Sequence, residues 1–164
     1  MSRHHFCRTG MTMDLPPGCR LSVEDQPSPA VRDLLGRELG KHNRPFLRNP
    51  KWQRLGVFVR DRDGDIAAGL AGHTYGDWLF VEELWVRADL RGRGIGRELV
   101  KLAEARARER GCHSAWLDTF SFQAPEFYPK LGYREFGRLD YPPDHQRIFF
   151  QKQLTAEVYH ADPP

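Results

Sequence analysis

The chain has 164 residues, of which 40% are hydrophobic and 29% charged, and its formal net charge is +3 at pH 7. A chain of this length can bury a core without metal or disulfide support, and its three cysteines have no spacing typical of a metal site. No apolar run approaches the roughly 20 residues of a membrane span, and the first residues lack the apolar core of a signal peptide. We therefore expect a cytoplasmic protein with no membrane partner and no metal.

The chain opens with a weakly patterned segment that leads into a helix. Residues 1–17 are polar and irregular, so we expect a flexible extension there, and residues 19–24 alternate weakly, as a first strand does. Ser28 is a favourable helix cap, and Pro29 fits the first helical position. These features predict a helix that runs to about Lys41.

Three strands should follow and form an antiparallel meander. The segments at residues 55–60, 66–75 and 78–86 are largely apolar runs of strand length. Asp63-Gly64 and Gly76-Asp77 lie between them, and such pairs favour tight hairpin turns. Strands joined by tight turns pair in the antiparallel sense.

The second half of the chain predicts two helices, one further strand and a final hairpin. Apolar residues recur at helical spacing after Ile95, and Gly111 fits a helix end. Residues 18–155 should form a single domain, followed by a frayed tail at 156–164. The predicted elements are a helix at 97–110, a strand at 114–119, a short helix at 122–131, and paired strands at 133–139 and 147–154.

The most informative motif is Arg91-Gly92-Arg93-Gly94-Ile95-Gly96, which precedes the second long helix. Glycine lets backbone N–H groups turn toward one point, and a helix N-terminus adds partial positive charge. Together with the arginines, this arrangement predicts a pocket for a polyanion such as a pyrophosphate. No Gly-Lys-Ser/Thr ending of a P-loop is present, and the glycine spacing differs from that of dinucleotide-binding folds. An ordinary glycine-rich surface turn is the alternative.

Two sequence blocks extend this interpretation. Arg91-x-x-Gly94-x-Gly96 follows Leu84-Trp85-Val86, and residues 124–133 read Ala-Pro-Glu-Phe-Tyr-Pro-Lys-Leu-Gly-Tyr. In this order and separation, over residues 57–154, the blocks resemble the acetyl-CoA signature and the second block of the GNAT acetyltransferases. The resemblance implies an α/β (α+β) fold. Its central mixed, mostly antiparallel sheet should have about six to seven strands, be flanked by about four helices, and be splayed where the coenzyme binds.

The resemblance also implies that acetyl-CoA is the co-substrate and lies between the splayed strands. Backbone groups of residues 84–86 would hold the pantetheine arm, and residues 91–97 would hold the pyrophosphate. Ser121 stands where many family members have an asparagine, so its shorter reach should be supplemented by Thr119 and Gln123. The residues assigned to the coenzyme are Leu84, Trp85, Val86, Arg91, Gly92, Arg93, Gly94, Ile95, Gly96, Arg97 and Ser121.

Tyr128 is the candidate general acid. It matches the tyrosine of the second block, which in several family members donates a proton to the departing sulfur. The resemblance implies the same role here. A packed tyrosine bonded to a backbone group is the alternative, and residue chemistry alone favours that alternative.

Two adjacent acids, Glu82 and Glu83, are the candidate bases. Successive side chains on a strand point to opposite faces, so only one of them should face the cleft. We prefer Glu82, which on this reasoning shares a face with Phe80, Leu84 and Val86, and which could act through a water. The alternative is that either carboxylate is a surface charge, or a clamp for a cationic acceptor.

The acceptor is the least determined part of the site. Aromatic rings beside a carboxylate can hold a primary ammonium, and His42, Tyr75 and Trp78 are the candidates for that role. The leading function is transfer of acetyl to a primary amine of a small molecule or protein. A non-catalytic coenzyme A sensor and an acetyltransferase for charged transfer RNA are the alternatives. Acids dispersed among the arginines argue against nucleic acid, and a homodimer is allowed by this interpretation.

Overall fold

The computed structural model describes residues 15–47 and 50–155. The chain divides into two compact units, one ending at Glu38 and the other beginning at Leu39. The predicted tail at 156–164 and most of the predicted extension at 1–17 lie outside the described residues. A single domain over residues 18–155 stays a prediction. Within the described part of the chain, no helix is long and apolar enough to cross a membrane.

The first helix confirms its predicted start. Helix α1 spans Pro29–Asn43, and the backbone N–H of Val31 donates to Ser28 Oγ at 3.4 Å. The predicted strand at residues 19–24 is wrong, because these residues form no strand. All of them are exposed, so an extended segment there would gain neither burial nor ladder hydrogen bonds.

The unit that begins at Leu39 contains one twisted sheet and one long helix. Its sheet has the strand order β1-β2-β3-β4-β6-β5, and only the β3–β4 pair is parallel. The predicted meander and the two hairpin turns before β3 are thereby confirmed. The elements are β1 (Gln53–Arg60), β2 (Ile66–Tyr75), β3 (Trp78–Val86), α2 (Ile95–Glu109), β4 (Ser114–Phe120), β5 (Arg134–Tyr141) and β6 (His145–Gln153).

The helices differ from the expectation in two respects. Helix α2 begins at Ile95, because Gly94 takes a left-handed conformation and caps it. The short helix predicted at 122–131 is two one-turn 3₁₀ helices, Pro125–Phe127 and Pro129–Leu131, since a proline cannot continue a hydrogen-bonded helix. The described residues thus form two α-helices and three single-turn 3₁₀ segments, the third at Ala88–Leu90.

The core lies between α2 and one face of the sheet. Helix α2 buries Leu99, Val100, Ala103 and Ala107 there. Glu104 is also buried on α2, and Lys152 of β6 satisfies its carboxylate with Nζ–O distances of 2.8 and 2.7 Å. The sheet residues that complete this core include Leu55, Ala68, Leu70, Leu79, Val81, Ala115, Leu117, Ile148 and Phe150.

Candidate active site

The parallel strands β3 and β4 are joined along only part of their length. They pair from Trp78–Val81 against Ser114–Leu117 and then separate. Beyond that point β3 still pairs with β2 through Val86, and β4 still pairs with β6 through Phe120. The two inner edges therefore face each other without ladder bonds. This is the splay that the family resemblance implies, and it opens a cleft of about 860 Å³.

Most of the predicted site residues line this cleft. They come from three places: the separated half of β3, the glycine loop with the start of α2, and the segment after β4. Thr119 and Gln123 also line it, as do Asp118, Phe122 and Phe127. The predicted residues in the lining are Glu82, Glu83, Leu84, Trp85, Val86, Arg91, Gly92, Gly94, Ile95, Gly96, Arg97 and Tyr128.

The glycine loop and the first turn of α2 line the cleft. A Cβ at Gly92 or Gly94 would meet no atom within 4 Å, so the positive φ angles of 73° and 79°, rather than lack of space, favour glycine. Gly94 caps α2 without a side-chain hydrogen bond. The first N–H groups of a helix have no partner within it, so those of residues 95–97 remain available to an anion.

The loop is fixed to the strand end by specific contacts. Arg91 Nε donates to the carbonyl of Val86 at 3.0 Å. A Cβ at Gly96 would lie 3.4 Å from the Phe127 ring, so the start of α2 packs closely against the segment after β4. Arg93 is exposed and lies outside the cleft lining. Of the two arginines in the motif, therefore, Arg91 lines the cleft and Arg93 does not.

Tyr128 reaches the cleft from a buried position. Only 8% of the residue is exposed, and its ring packs against Phe127, Tyr133 and Phe150 with centroid distances of 5.2, 6.1 and 5.7 Å. Burial raises the pKa of Tyr128 above its ordinary value, and the Asp118 carboxylate adds to that rise. The hydroxyl therefore keeps its proton at neutral pH, as a proton donor must.

A β-bulge lies where β3 leaves β4. Ala71 of β2 pairs with Glu83 and Gly72 pairs with Val81, so Glu82 is an extra residue in β3. Such an insertion interrupts the alternation of side chains. Val81 before the bulge is buried in the core, and Leu84 after it also packs against the core. The predicted common face of Glu82 with Leu84 and Val86 is therefore wrong.

The bulge also corrects the expectation that Glu82 and Glu83 point to opposite faces. Glu83 lies opposite Ala71, and Glu82 contacts His73, two residues further along β2. Ala71 and His73 alternate with the buried Gly72, so both acids lie on the sheet face away from α2. Both are exposed and both line the cleft. Strand alternation does not select the base, whereas the contact with His73 distinguishes Glu82.

Comparison with known proteins agrees with this geometry. A family model described as the acetyltransferase (GNAT) family matches residues 28–133. The chain belongs to the GNAT acetyltransferases. Its ligand class is an acyl-CoA, and the enzyme is an acyltransferase.

Individual relatives of this GNAT acetyltransferase include two enzymes named for antibiotics. It is 40% identical over 135 residues to the blasticidin-S acetyltransferase of Streptomyces morookaense, covering 81% of this chain and 94% of that protein. It is 40% identical over 78 residues to the streptothricin acetyltransferase of Streptomyces lavendulae, covering 46% of this chain and 39% of that protein. A crystal structure of an acetyltransferase from Bacillus cereus ATCC 14579 matches with a TM-score of 0.68 and 32% identity, covering 80% of this chain and 97% of that chain.

The residues predicted to hold the acceptor are not brought to the cleft of this acetyltransferase. Tyr75 and Trp78 pair with each other at the β2–β3 turn. Trp78 is four residues before Glu82, or about 13 Å along the strand. Tyr75 accepts a hydrogen bond from Asn43 at 3.3 Å, and the His42 ring lies beside Phe46, tilted by 50°, with centroids 6.2 Å apart.

Ser121 also lies outside the cleft lining. Its Oγ accepts a hydrogen bond from the backbone N–H of Gln146 at 3.1 Å, which ties the end of β4 to β6. Thr119 and Gln123, proposed beside it, do line the cleft, and Thr119 Oγ1 donates to Gln123 Oε1 at 2.7 Å. A contact between Ser121 and the coenzyme stays a prediction.

Sequence reasoning missed a row of rings on the sheet face that carries Glu82. Phe80 stacks on Trp116 with a centroid distance of 4.0 Å, and His73 lies edge-on to Phe80 at 5.5 Å and beside Trp52 at 5.1 Å. These rings come from three strands and from the segment before β1. Each looks ordinary in its own segment, and only the strand order and the Phe80–Trp116 register bring them together.

Proposed function

We propose that this GNAT acetyltransferase transfers the acetyl group of acetyl-CoA to a primary amine of a small cationic molecule. The observation that carries the proposal is the convergence on one cleft of a helix N-terminus without a side-chain cap, an open strand edge and Tyr128. Names of the relatives support a small-molecule acceptor, because two of them are named as acetyltransferases of blasticidin-S and streptothricin.

The residues of the cleft fit an acyl-CoA at both of its polar ends. The free N–H groups of residues 95–97, with Arg91 and Arg97, suit a pyrophosphate. The unpaired edge of residues 82–86 offers backbone donors and acceptors to the amides of a pantetheine arm, as an added strand would. When bound there, acetyl-CoA supplies the thioester whose acetyl group is transferred.

Two side chains on different elements divide the proton chemistry. Glu82 removes a proton from the acceptor ammonium, so that the amine has a lone pair for attack on the thioester carbonyl. Tyr128 donates its hydroxyl proton to the departing sulfur. A tyrosine hydroxyl is protonated at neutral pH, and burial of Tyr128 raises its pKa, so this state extends to higher pH.

The acceptor surface is the face of rings and acids beside the bulge. Glu82 and Glu83 are exposed carboxylates, and Phe80 and Trp116 form a stacked aromatic surface near them. Asp118 also lines the cleft, although Arg147 binds its carboxylate, with Nη2–Oδ1 at 2.9 Å. An ammonium beside a flat or apolar body matches this combination through charge and cation–π contacts.

Thiol release from acetyl-CoA, measured against a panel of amines, tests the proposal. The panel contains blasticidin S, streptothricin, an aminoglycoside, free amino acids and a peptide with a free N-terminus. We expect turnover with at least one cationic small molecule and none with the peptide. Parallel assays with propionyl-CoA and succinyl-CoA test the acyl group, and a preference for either over acetyl-CoA would correct the donor. Turnover with the peptide alone would contradict the acceptor class.

A further inference from the structure

The carboxylate of Glu82 is held from behind by an imidazole. His73 Nδ1 lies 2.7 Å from Glu82 Oε1, and the two side chains are 21% and 37% exposed. An ionised carboxylate only accepts hydrogen bonds, so Nδ1 must carry the hydrogen and donate it. Among the described residues, Glu82 lines the cleft and His73 does not. The imidazole is therefore placed to act on the reaction only through Glu82.

Neighbouring rings fix the orientation of His73. Trp52 lies beside the imidazole, with ring centroids 5.1 Å apart, and Phe80 meets it edge-on at 5.5 Å. His73 pairs with Phe80, which lies two residues before the bulged residue Glu82 on β3. The hydrogen-bond donor thus has a defined direction, and the bulge brings the carboxylate to it.

The charged groups around this pair come from four strands. On β1, Arg54 lies opposite His73 and its guanidinium sits 5.2 Å from the centre of the Trp52 ring. On β3, Glu83 follows Glu82. On β4, Asp118 lines the same cleft, and on β6, Arg147 binds that carboxylate. These groups form the electrostatic surroundings of the Glu82–His73 pair.

We propose that His73 is a positioning residue for acetyl transfer, an inference that rests on the proposed role of Glu82. Its Nδ1–H group holds Oε1, which leaves Oε2 to receive the proton of the acceptor ammonium. In that step an N–H bond of the ammonium breaks and an O–H bond of Glu82 forms. The freed amine then attacks the thioester carbon, and the attacking nitrogen loses its second proton to water. The C–S bonding electrons leave with sulfur, and sulfur takes the Tyr128 proton. Glu82 afterwards loses its proton to water, and Tyr128 regains one from water.

Two substitutions separate the hydrogen bond from ring packing. His73→Asn places an amide N–H near the position of Nδ1 but removes the ring, whereas His73→Phe keeps a ring between Trp52 and Phe80 but removes the donor. We expect His73→Asn to retain kcat within about threefold, and His73→Phe to lose about tenfold in kcat, as for one lost hydrogen bond to a charged group. The KM for acetyl-CoA should change in neither variant.

The split between kcat and KM gives a readout that packing does not alter. The lost Nδ1–H donor should act on proton transfer, so His73→Phe lowers kcat at an unchanged KM for acetyl-CoA. The amide N–H in His73→Asn should restore kcat. Thermal melting by circular dichroism, run on both variants, shows that each is folded.

The outcomes distinguish the inference from the function on which it rests. Loss of kcat in His73→Asn with retention in His73→Phe would show that His73 only packs, and would overturn the inference. If the wild type is active, Glu82→Gln is slow and both His73 variants keep wild-type activity, the inference is overturned and Glu82 remains the base. Full activity of Glu82→Gln would remove the base and the inference together. Absence of acetyl transfer by the wild type would overturn the proposed function itself.

Discussion

The two halves of the β3–β4 pair differ in both packing and chemistry. In the paired half, Leu79, Val81, Ala115 and Leu117 are buried and the ladder joins the strands. In the separated half, the edges are open and residues 82–86 line the cleft. Strand β3 thus contributes to the core up to Val81 and lines the cleft from Glu82 onward, and the bulge at Glu82 lies at this boundary. The stable half holds the open half in position.

The largest expected effect concerns the anion end of the open half. Gly94→Val places a β-branched side chain at a φ of 79° and at the head of α2. We expect coenzyme affinity to fall about a thousandfold, roughly 4 kcal/mol, through strain and obstruction of the N–H groups. Isothermal titration calorimetry measures it. Gly64→Val is the matched control, because Gly64 has a φ of 88° in the β1–β2 turn. An equal loss of affinity in both variants would point to general destabilisation.

The next largest expected effect concerns the Tyr128 hydroxyl, the proposed proton donor. Tyr128→Phe removes only the hydroxyl, so the ring contacts with Phe127 and Phe150 remain. We expect kcat to fall about a hundredfold while coenzyme affinity stays nearly unchanged. Steady-state kinetics and calorimetry on the same preparation check both parts. Because the pKa of Tyr128 is raised, its proton donation should not be lost between pH 7 and 9. Wild-type kcat in the variant would make Tyr128 a packing residue.

A third test acts on the boundary between the two halves. A Cβ at Gly72 would lie 2.1 Å from the carbonyl oxygen of Phe80, so Gly72→Ala must push β3 away at the bulge. We expect the free energy of unfolding to fall by about 2 kcal/mol, and kcat to fall with it because Glu82 moves. Urea unfolding and the thiol-release assay measure the two effects.

The control for this variant is Gly40→Ala in α1, where a Cβ would meet no atom within 4 Å. That substitution should leave activity unchanged and stabilise the helix by a few tenths to about 1 kcal/mol. If Gly72→Ala behaves like Gly40→Ala, the bulge tolerates a side chain, and the close approach of β2 to β3 is not required.

A smaller effect should separate the two arginines of the loop. Arg91 lines the cleft and Arg93 does not. We expect Arg91→Gln to weaken coenzyme binding by about tenfold and Arg93→Gln by about twofold, with the larger salt dependence lost in the Arg91 variant. Calorimetry at two salt concentrations measures this difference. Equal effects would show that the loop binds the anion by net charge rather than by position.

The smallest expected effect concerns the ionisation of Cys112, a buried thiol two residues before the paired half of β4. Burial raises the pKa of Cys112 to about 11. In a Cys7→Ser, Cys19→Ser background, we expect no alkylation of the folded protein at pH 8. The unfolded thiol ionises near its ordinary value of 9.0 while the folded thiol stays protonated. Stability should therefore fall as pH rises from about 9 to 11. Mass spectrometry follows alkylation, and rapid labelling at pH 8 would contradict the burial.

Local signals predicted the fold well because they act within a few residues. The Gly76-Asp77 turn has positive φ angles at both residues, as the short connection between β2 and β3 requires, and the glycine loop begins the helix. Local sequence signals did not predict the features that depend on how neighbouring strands pair. The bulge depends on Gly72 accepting the backbone of the next strand, and nothing in the Glu82-Glu83 dipeptide indicates it.

The candidate site divides in the same way. Residues 82–97, which include the glycine motif, supply most of the cleft lining from one continuous stretch of sequence, so a local motif could indicate them. The proposed acceptor surface is assembled from side chains far apart in the chain, such as His73, Phe80 and Trp116. Tyr75 and Trp78 were chosen from the sequence because they are aromatic, and the structure places them at the β2–β3 turn, outside the cleft lining. Their role toward the acceptor stays a prediction.

The open edge of β3 also affects the tendency of the protein to aggregate. Leu84 and Trp85 belong to an apolar strand edge that does not pair with β4, and such an edge is a template on which a second chain can add and aggregate. In the proposed binding mode, coenzyme A lies along that edge, and a ligand that binds only the folded state also raises its stability by mass action. We therefore expect the co-substrate to protect the protein against self-association. Light scattering during storage with and without coenzyme A would show slower aggregation in its presence.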